Sequence, residues 1–323
     1  MRLRYLLRRL AGGLLVVLLV IVFCFVILRL APGDPAMIMA GESGASDEQF
    51  IADIRRSYGL DQPLPVQLAK YLGNVLQFDL GFSYRQKRPN AELIAERLPA
   101  TLLLAASAFV LSLALGIVLG YLAARFRGLA DAAVSIFSLA FYATPIFWIG
   151  LMGILVFSVQ LEWLPAFGMR SILPVTGGWA KAADVARHLI LPTLTLGLFY
   201  TAIYARLMRA SLLEVRPLDF VATARAKGAS IGRVWRRHMF RNAVLPVLTM
   251  AGVQAGQIVG GSILVETVFA WPGIGRLAFE AVFQRDYNLL LGIFLVTSTA
   301  VVAINIATDF IYTLVDPRTG PAR

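Results

Sequence analysis

The sequence predicts an all-α integral membrane protein with six transmembrane helices, and three observations predict it. Hydrophobic residues make up 58% of the 323 residues and charged residues only 15%, with a mean hydropathy of +0.72. That composition lies outside the usual range of soluble domains. Uncharged runs recur that are long enough to cross a hydrocarbon core of about 30 Å, which takes about 20 helical residues. Basic residues concentrate in alternate connecting segments, as expected for cytoplasmic loops.

Five of the uncharged runs reach that length unaided: residues 10–28, 98–124, 132–161, 242–265 and 287–308. A sixth, residues 189–205, reaches it by including Arg206 and Arg209, whose aliphatic stems lie in lipid while the guanidinium groups extend toward the headgroups. The first run exceeds the apolar core of a secretory signal and lacks a convincing small-residue cleavage site. We therefore interpret it as a retained anchor.

Charge orients these spans. Arginines precede the first span, fill the link after the second and follow the sixth, so these segments and the N-terminus are expected in the cytoplasm. Six crossings also place residues 212–241 in the cytoplasm, and this segment contains seven basic and only two acidic residues. The net charge of +11 is therefore attributed to topology, and nucleic acid is not expected as a partner.

The predicted domains follow from the spans: residues 1–30 (N-terminal segment and first helix), 31–97 (external subdomain), 98–314 (transmembrane core with the cytoplasmic loop 212–241) and 315–323 (cytoplasmic tail). Helical spacing of apolar residues in the external segment, interrupted at Pro63 and Pro65, predicts a small helical subdomain. That subdomain is either a surface for a soluble partner or a cap on the helix ends. The single cysteine, Cys24, allows no intramolecular disulfide.

Catalytic signatures are scarce. The two histidines, His188 and His238, have no metal-ligand spacing around them, so no metal site is predicted. No phosphate-binding GxxxxGK[ST] loop occurs, so the chain itself should not hydrolyse ATP. The spans hold almost no ionisable groups, with Asp309 near the cytoplasmic end of the sixth, which leaves an intramembrane enzyme as the weaker alternative.

The cytoplasmic loop carries the most informative pattern. A helix beginning near Asp219, whose carboxylate would cap free N–H groups, places Phe220, Ala224, Lys227 or Gly228, and Ile231 along one stripe, flanked by Arg225 and Arg233. Because glycine costs about 1 kcal/mol inside a helix relative to alanine, Gly228 is expected to end one short helix and turn the chain into the next. The resulting elbow is either a docking site for another protein or a basic segment on anionic lipid.

The segment ATARAKG at residues 222–228 resembles the EAA loop of ABC importer permeases, in the form followed by Arg237, Asn242, Leu245 and Pro246. Residues 29–35, 266–287 and 314–318 resemble other segments of the same family, so the resemblance runs nearly end to end. It is closest to the membrane subunits of dipeptide and oligopeptide importers. Ala222 stands where the EAA motif has its acidic residue, which leaves no carboxylate contact there.

The resemblance implies a non-catalytic permease subunit in a bacterial inner membrane, forming half of the pathway for dipeptides, oligopeptides or a related small solute. Its implied partners are a second homologous permease, one or two cytoplasmic ATP-binding subunits, an extracytoplasmic solute-binding protein and membrane lipid. ATP and Mg²⁺ are expected on the ATPases, and no cofactor on this chain. The binding protein would dock on residues 31–97 and 266–286. The implied ATPase-coupling residues are Asp219, Phe220, Ala222, Ala224, Arg225, Lys227, Gly228 and Ile231.

Polar residues within the spans are candidates for the translocation pathway: Gln254 and Gln257 on one face of the fifth span, and Asn305 and Asp309 on one face of the sixth. Helix–helix hydrogen bonding is the alternative role. Four glycines of the fifth span would allow close helix approach (Gly252, Gly256, Gly260 and Gly261), and Pro145 should kink the third span. A self-sufficient secondary transporter remains an alternative, although the internal repeats and coupling carboxylates typical of that class are not evident.

Overall fold

A computed structural model describes residues 2–30, 37, 48–57, 61–83, 85–126, 128–173 and 176–315. The helices are α1 (Arg2–Leu30), α2 (Glu48–Ser57), α3 (Leu64–Leu76), α4 (Asn90–Arg125), α5 (Leu129–Ala143), α6 (Ile146–Gly153), α7 (Gly178–Val215), α8 (Asp219–Ala226), α9 (Ile231–Arg233), α10 (Phe240–Val268), α11 (Ile274–Phe283) and α12 (Tyr287–Val315). π-helical turns over Ile154–Gln160 and Val234–Met239 continue α6 and α9. Strands β1 (Phe82–Ser83) and β2 (Arg88–Pro89) form an antiparallel hairpin.

The protein has five to six candidate membrane spans. Five described helical segments are long and apolar enough to cross a membrane by themselves: Leu7–Leu28, Asn90–Arg125, Gly178–Val215, Ile231–Val268 and Tyr287–Thr308. The sixth candidate is α5 together with α6 and its π-helical turn, which are bent by 104° relative to each other. The predicted kink is thus a full break. Pro145 has no N–H to continue the helix, and it holds Thr144 in an extended conformation (ψ 133°).

Contacts divide the chain into two units, of which the first comprises residues 1–99 and 273–303. Its core joins the start of α4 to α11 and α12. The packing follows from α11, where Ile274, Leu277, Ala278 and Ala281 repeat at helical spacing and form one buried stripe. The other buried members of this core are Leu93, Ile94, Leu289, Leu290 and Ile293.

The sequence predicts a helical external segment, but the structure also contains a short β-hairpin there. Helices α2 and α3 are present, but the hairpin β1–β2 follows them. Asn90 fixes the hairpin to the start of α4, because its side-chain Nδ2 donates to Leu80 O at 2.8 Å and its backbone N–H donates to Gly81 O at 3.0 Å. Pro65 lies in the first turn of α3 and does not break it, since proline is tolerated where backbone N–H groups have no helical partner.

The second unit comprises residues 100–272 and 304–323, with α7 at its centre. Helix α4 packs against α7 along Gly116 and Gly120, which are four residues apart. A β-carbon at Gly116 would overlap Cβ of Tyr204, and one at Gly120 would lie 2.6 Å from Cβ of Met208. This is the close approach that small residues permit between membrane helices, and the sequence analysis missed it.

The domain division predicted from the sequence stays a prediction. The grouping by contacts runs along different lines, because it places residues 273–303 with the N-terminal segments. Those residues include α11 and most of α12, which the sequence analysis assigned to the transmembrane core.

Candidate functional site

The elbow predicted around Gly228 is present. Helix α8 ends with Lys227 as its C-cap, and Gly228 follows with φ +78°. The Gly228 N–H donates to Arg225 O at 2.9 Å, and the Ala229 N–H donates to Ala224 O at 3.1 Å. These two bonds are the Schellman motif, in which glycine adopts the left-handed conformation. Because a β-carbon at Gly228 would meet nothing within 4 Å, the requirement for glycine is conformational and not steric.

The elbow is anchored on the end of α4. Val221 and Ala224 are buried and face inward, and α8 contacts the π-helical turn that follows α9. From that turn the Trp235 ring packs edge-on against Tyr121, with 5.9 Å between ring centroids. The Arg125 guanidinium lies 5.2 Å from the centre of the same indole, within cation–π range. The elbow is therefore held against a membrane helix through buried aromatic contacts.

The outward surface of the elbow holds seven of the eight predicted coupling residues: Asp219, Phe220, Ala222, Arg225, Lys227, Gly228 and Ile231. Ile231 has 65% of its surface exposed and Phe220 has 37%. Ala224 does not lie on this exposed surface, because it is buried, as Val221 is; its coupling role stays a prediction. A spacing of four residues predicts Phe220 and Ala224 on one face, whereas the face that packs inward follows the spacing of three from Val221 to Ala224.

The predicted capping role of Asp219 was also wrong. The N-cap of α8 is Leu218, in an extended conformation, and no side chain bonds the free N–H groups there. Asp219 lies one position later, inside the first turn. Its negative charge is still favourable there because the N-terminal end of a helix carries partial positive charge.

The predicted pathway residues differ in environment. Gln254 is buried, with 5% exposure, whereas Gln257, three residues later, is exposed, so their role in the pathway stays a prediction. Within the described residues, no hydrogen-bond donor reaches Oε1 of Gln254 or Oδ1 of Asn305. Such orphaned amide oxygens in a buried setting call for a partner. Asp309 lies in α12, and its side chain falls outside the described part of the protein.

Three of the four glycines of α10 differ in their surroundings, and only Gly261 has a tight neighbour. The Thr308 hydroxyl donates to Asn305 O at 2.9 Å and also lies 3.3 Å from Gly252 O. A β-carbon at Gly252 would lie 3.6 Å from Cβ of Thr308, an ordinary contact distance. A β-carbon at Gly261 would lie 3.3 Å from the Tyr200 hydroxyl. Gly260, by contrast, has nothing within 4 Å of such a carbon.

A fully buried carboxylate near the end of α10 escaped the sequence analysis, which treated the spans as almost free of ionisable groups. Glu266 has 0% exposure. Its Oε1 accepts hydrogen bonds from the Thr101 hydroxyl at 2.8 Å and the Ser262 hydroxyl at 3.0 Å. Beside it, Trp271 Nε1 donates to Ala100 O at 2.9 Å. Together these bonds tie the end of α10 to α4.

The two arginines late in α7 have partners within the protein, and their predicted extension toward lipid headgroups stays a prediction. The Arg209 guanidinium binds both carboxylate oxygens of Asp131, one of them at 2.7 Å from Nη2. The Arg206 guanidinium lies 4.7 Å from the centre of the Tyr142 ring. Both partners belong to α5, so the two contacts join the end of α7 to α5. A bidentate carboxylate and an aromatic face are both favourable partners for a guanidinium group.

Helix α5 and helix α6 with its π-helical turn form the broken pair, the sixth candidate span. The segment that follows the broken pair contacts the opposite end of α7. The backbone N–H and hydroxyl of Ser171 both donate to the Asp184 carboxylate, at 2.8 and 2.5 Å. Arg187 Nη2 donates to Trp163 O at 3.2 Å. Asp184 and Arg209 are 25 residues apart on one continuous helix, which is about 38 Å at 1.5 Å per residue.

In the first unit, the structure brings together two segments that the sequence treated as separate docking surfaces. The Ser83 hydroxyl donates to Asp286 Oδ2 at 2.5 Å, and Arg85 Nε donates to Gln284 O at 3.2 Å. Asp286 also accepts the Leu289 N–H at 3.1 Å, at the start of α12. Burial raises the pKa of the Asp286 carboxyl, while these hydrogen bonds and the charge of Arg85 act in the opposite direction.

Comparison with known protein families assigns this architecture. Residues 116–321 match the family described as binding-protein-dependent transport system inner membrane component, and residues 2–105 match the N-terminal model of such membrane components. The chain belongs to this family of inner membrane transport components. Members of the family are transport subunits and not catalytic enzymes, and the apolar spans agree with an inner-membrane location.

Relatives of this transport component cover nearly its whole length. It is 41% identical over 97% of its length to a probable peptide ABC transporter permease protein of Sinorhizobium fredii, covering 98% of that protein. It is 40% identical to the di/tripeptide transport system permease protein DppB of Pseudomonas aeruginosa, over 91% of this chain and 92% of that one. The inward-facing MetNI methionine ABC transporter shares the fold, with a TM-score of 0.54 and 17% identity over 69% of this chain and 96% of the MetNI chain.

No group of three or more His, Cys, Asp or Glu residues that could hold a metal ion occurs in the described ranges.

Proposed function

We propose that this inner membrane component is the permease subunit of an ATP-driven importer of dipeptides or oligopeptides and forms half of its translocation pathway. The observation that carries the proposal is the elbow, which is exposed on one side and anchored to a membrane helix on the other. The names of the relatives support a peptide as the solute. The proposed partners are a second homologous permease, one or two cytoplasmic ATPases holding ATP and Mg²⁺, and an extracytoplasmic solute-binding protein. This chain binds no cofactor.

Six crossings with a cytoplasmic N-terminus fit the contacts along α7. The beginning of the broken pair is bound to one end of α7 through Asp131 and Arg209, and the segment after it is bound to the other end through Ser171 and Asp184. The separation of about 38 Å along the helix exceeds a hydrocarbon core of about 30 Å. We therefore count the broken pair as one crossing, which places the elbow on the same side as the N-terminus.

In this proposal the elbow is the coupling helix. Phe220 and Ile231 offer exposed apolar side chains, and the exposed Arg225 and Lys227 add positive charge. An apolar centre with a basic rim suits a groove on a partner protein. Because Trp235 and Tyr121 join the elbow to α4, closure of the ATPases would move that helix and rock the pathway between inward-facing and outward-facing arrangements.

We propose that the translocation pathway uses side-chain amide groups of α10 and α12, which are the fifth and sixth spans. The orphaned oxygens of Gln254 and Asn305 would find donors in pathway water, in solute or in the second permease. Gln257 and Asp309 are proposed for the same pathway. On the extracytoplasmic side, the proposed surface for the solute-binding protein is formed by two segments that contact each other. These are the hairpin region with Ser83 and Arg85, and the segment before α12 with Asp286.

The test is substitution of Gly228 in the assembled transporter. Gly228→Val places a β-branched residue at φ +78°, which costs about 1–2 kcal/mol and distorts the elbow. We expect uptake to fall about tenfold or more while ATPase activity persists, because a misplaced coupling helix uncouples the two. Uptake and ATP hydrolysis are measured in the same proteoliposomes with a radiolabelled dipeptide and its binding protein.

Gly228→Asn is the matched control, because asparagine tolerates the left-handed conformation. It should keep most of the uptake. Normal coupled uptake by the valine variant would overturn the elbow model. Peptide uptake by the chain alone, without any ATPase, would instead establish a secondary transporter.

A further inference from the structure

An apolar cavity of about 380 Å³ opens in the broken span, between α5 and α6, and residues of α7 also line it. Its lining includes Phe141, Trp148, Met152 and Leu194, and its polar members are two threonines, Thr144 and Thr195. The Thr144 hydroxyl already donates to Ala140 O at 2.7 Å. A peptide, with its amides and charged termini, would find almost no hydrogen-bond partner in this cavity. The cavity is therefore not part of a pathway for a polar solute.

The break at Pro145 creates the cavity. Helix α6 is held tightly on one side, because a β-carbon at Gly150 would lie 3.1 Å from the Phe269 ring and 3.4 Å from Cγ2 of Thr195. The bend of 104° directs α5 away from that contact and leaves a wedge between the two halves of the span. Since an unfilled apolar space forfeits the dispersion contacts of its lining atoms, an apolar occupant would be favourable there.

The depth of the cavity matches lipid chains. The α7 residues that line it are Leu191, Leu194, Thr195 and Leu198, which begin two residues into the uncharged run 189–205. At 1.5 Å per residue they lie roughly 3–14 Å inside that run, within the depth occupied by acyl chains. A bilayer therefore presents acyl chains, and not headgroups or water, at the level of this cavity.

An aromatic residue and a cation, Trp163 and Arg187, lie just beyond the lining residues Phe157 and Leu191. Phe157 lines the cavity, and its ring centroid is 6.2 Å from that of Trp163. The Trp163 carbonyl accepts the hydrogen bond from Arg187, which lies one helical turn before Leu191. Tryptophan favours the membrane–water interface, and arginine binds phosphate through several N–H groups. The neighbouring acid, Asp184, is already bonded twice by Ser171.

We propose that this cavity binds one acyl chain of a membrane phospholipid, with the lipid phosphate on Arg187 and the chain wedged between α5 and α6. The site is distinct from the basic elbow. Its assignment to the outer leaflet rests on the orientation proposed above, whereas the binding itself does not. The lipid fills the space that the break at Pro145 opens and holds the two halves of the span apart.

The experiment uses the assembled transporter in vesicles of phosphatidylethanolamine and phosphatidylglycerol, with a trace of phosphatidylglycerol carrying a photoactivatable group in its acyl chain. After illumination, mass spectrometry maps the labelled residues. The proposal expects concentrated label on Phe141, Met152 and Leu194. Gly153→Leu should lower that label about tenfold, because its β-carbon fits 3.8 Å from Leu191 and the rest of the side chain fills the cavity. Gly12→Leu adds the same side chain to α1, where nothing lies within 4 Å, and should leave the label unchanged.

The headgroup contact is tested with Arg187→Gln and, as its control, Lys181→Gln, which lies six residues farther from the apolar run on the same helix. Only the Arg187 variant should retain severalfold less phospholipid in native mass spectra of the purified complex. Label spread evenly over exposed spans, or unaffected by Gly153→Leu, would overturn the proposal. Cavity label on the isolated subunit that disappears in the complex would also overturn it, by identifying a partner helix as the occupant. The photolabelling and the native mass spectra both measure lipid binding directly, so they test this proposal even if the protein does not transport peptides.

Discussion

Asp286 shows how a single buried carboxylate makes stability depend on pH. Burial raises its folded-state pKa above that of the unfolded chain, despite the hydrogen bonds from Ser83 and Leu289. Between the unfolded value near 3.9 and the raised folded value, the folded state binds more protons than the unfolded state. Its contribution to stability is therefore fully present at lower pH and is lost as pH rises through the folded pKa.

Asp286→Asn should remove that downward slope while keeping a residue suited to the N-cap of α12, because asparagine serves there nearly as well as aspartate. Asp286→Ala should also lack the slope, and it should be about 1 kcal/mol less stable than Asp286→Asn at all pH values because it loses the cap as well. Thermal unfolding of the detergent-solubilised protein between pH 4 and 7 measures both. Asp53→Asn, which removes an exposed carboxylate of α2, is the control. An unchanged slope in Asp286→Asn would show that another group is its source.

The residues that could be predicted from sequence are those whose requirement is local. Gly228 was predictable because a glycine after a short helical pattern signals the left-handed turn that ends a helix. Glu266 and Arg209 were not, because each is satisfied by a residue distant in sequence: Thr101 for the first and Asp131 for the second. Hydropathy indicates that a charge near a span needs a partner but does not identify it.

At the scale of helices, the contact between α4 and α7 along Gly116 and Gly120 leaves no room for a side chain. Gly120→Ala would place a β-carbon 2.6 Å from Met208 Cβ and against the Ala205 carbonyl, so the helices must separate. We expect a loss of about 1–3 kcal/mol, seen as a lower thermal midpoint and reduced recovery of the assembled complex.

Gly260→Ala is the matched control for that substitution. It makes the same change within α10, where nothing lies within 4 Å of the new carbon. It should be neutral or slightly stabilising, because alanine favours the helix by roughly 0.5–1 kcal/mol over glycine. Equal loss of stability in both variants would attribute the effect to glycine in general and not to the contact between α4 and α7.

Among the elements, long apolar helices were predictable because their signal extends over some twenty residues. The strand pair β1–β2 was not, since each strand has two residues, too few for any periodicity. The break at Pro145 was predictable in position, through the missing N–H and the restricted preceding residue. Its angle of 104° was not, because neighbouring contacts such as those of Gly150 set the direction of α6.

For the whole molecule, the central question is whether the broken pair crosses the membrane, because this determines the side on which the elbow lies. The two ends of the pair contact opposite ends of α7, which favours a full crossing. In a re-entrant arrangement, the elbow and the segment after the pair would exchange sides. The seven bases among residues 212–241 would then lie outside, against the usual distribution of Lys and Arg.

Single cysteines distinguish these topologies. Cys24, the one native cysteine, lies within α1 and is replaced by alanine, after which Ile172→Cys and Arg225→Cys are made separately, at an almost fully exposed residue and on the elbow. In intact inner-membrane spheroplasts, an impermeant maleimide should label the first variant and leave the second unlabelled until the membrane is permeabilised, because the hydrocarbon core excludes a charged reagent. Labelling of Arg225→Cys in intact spheroplasts, with Ile172→Cys protected, would establish the re-entrant arrangement and remove the elbow from reach of any cytoplasmic ATPase.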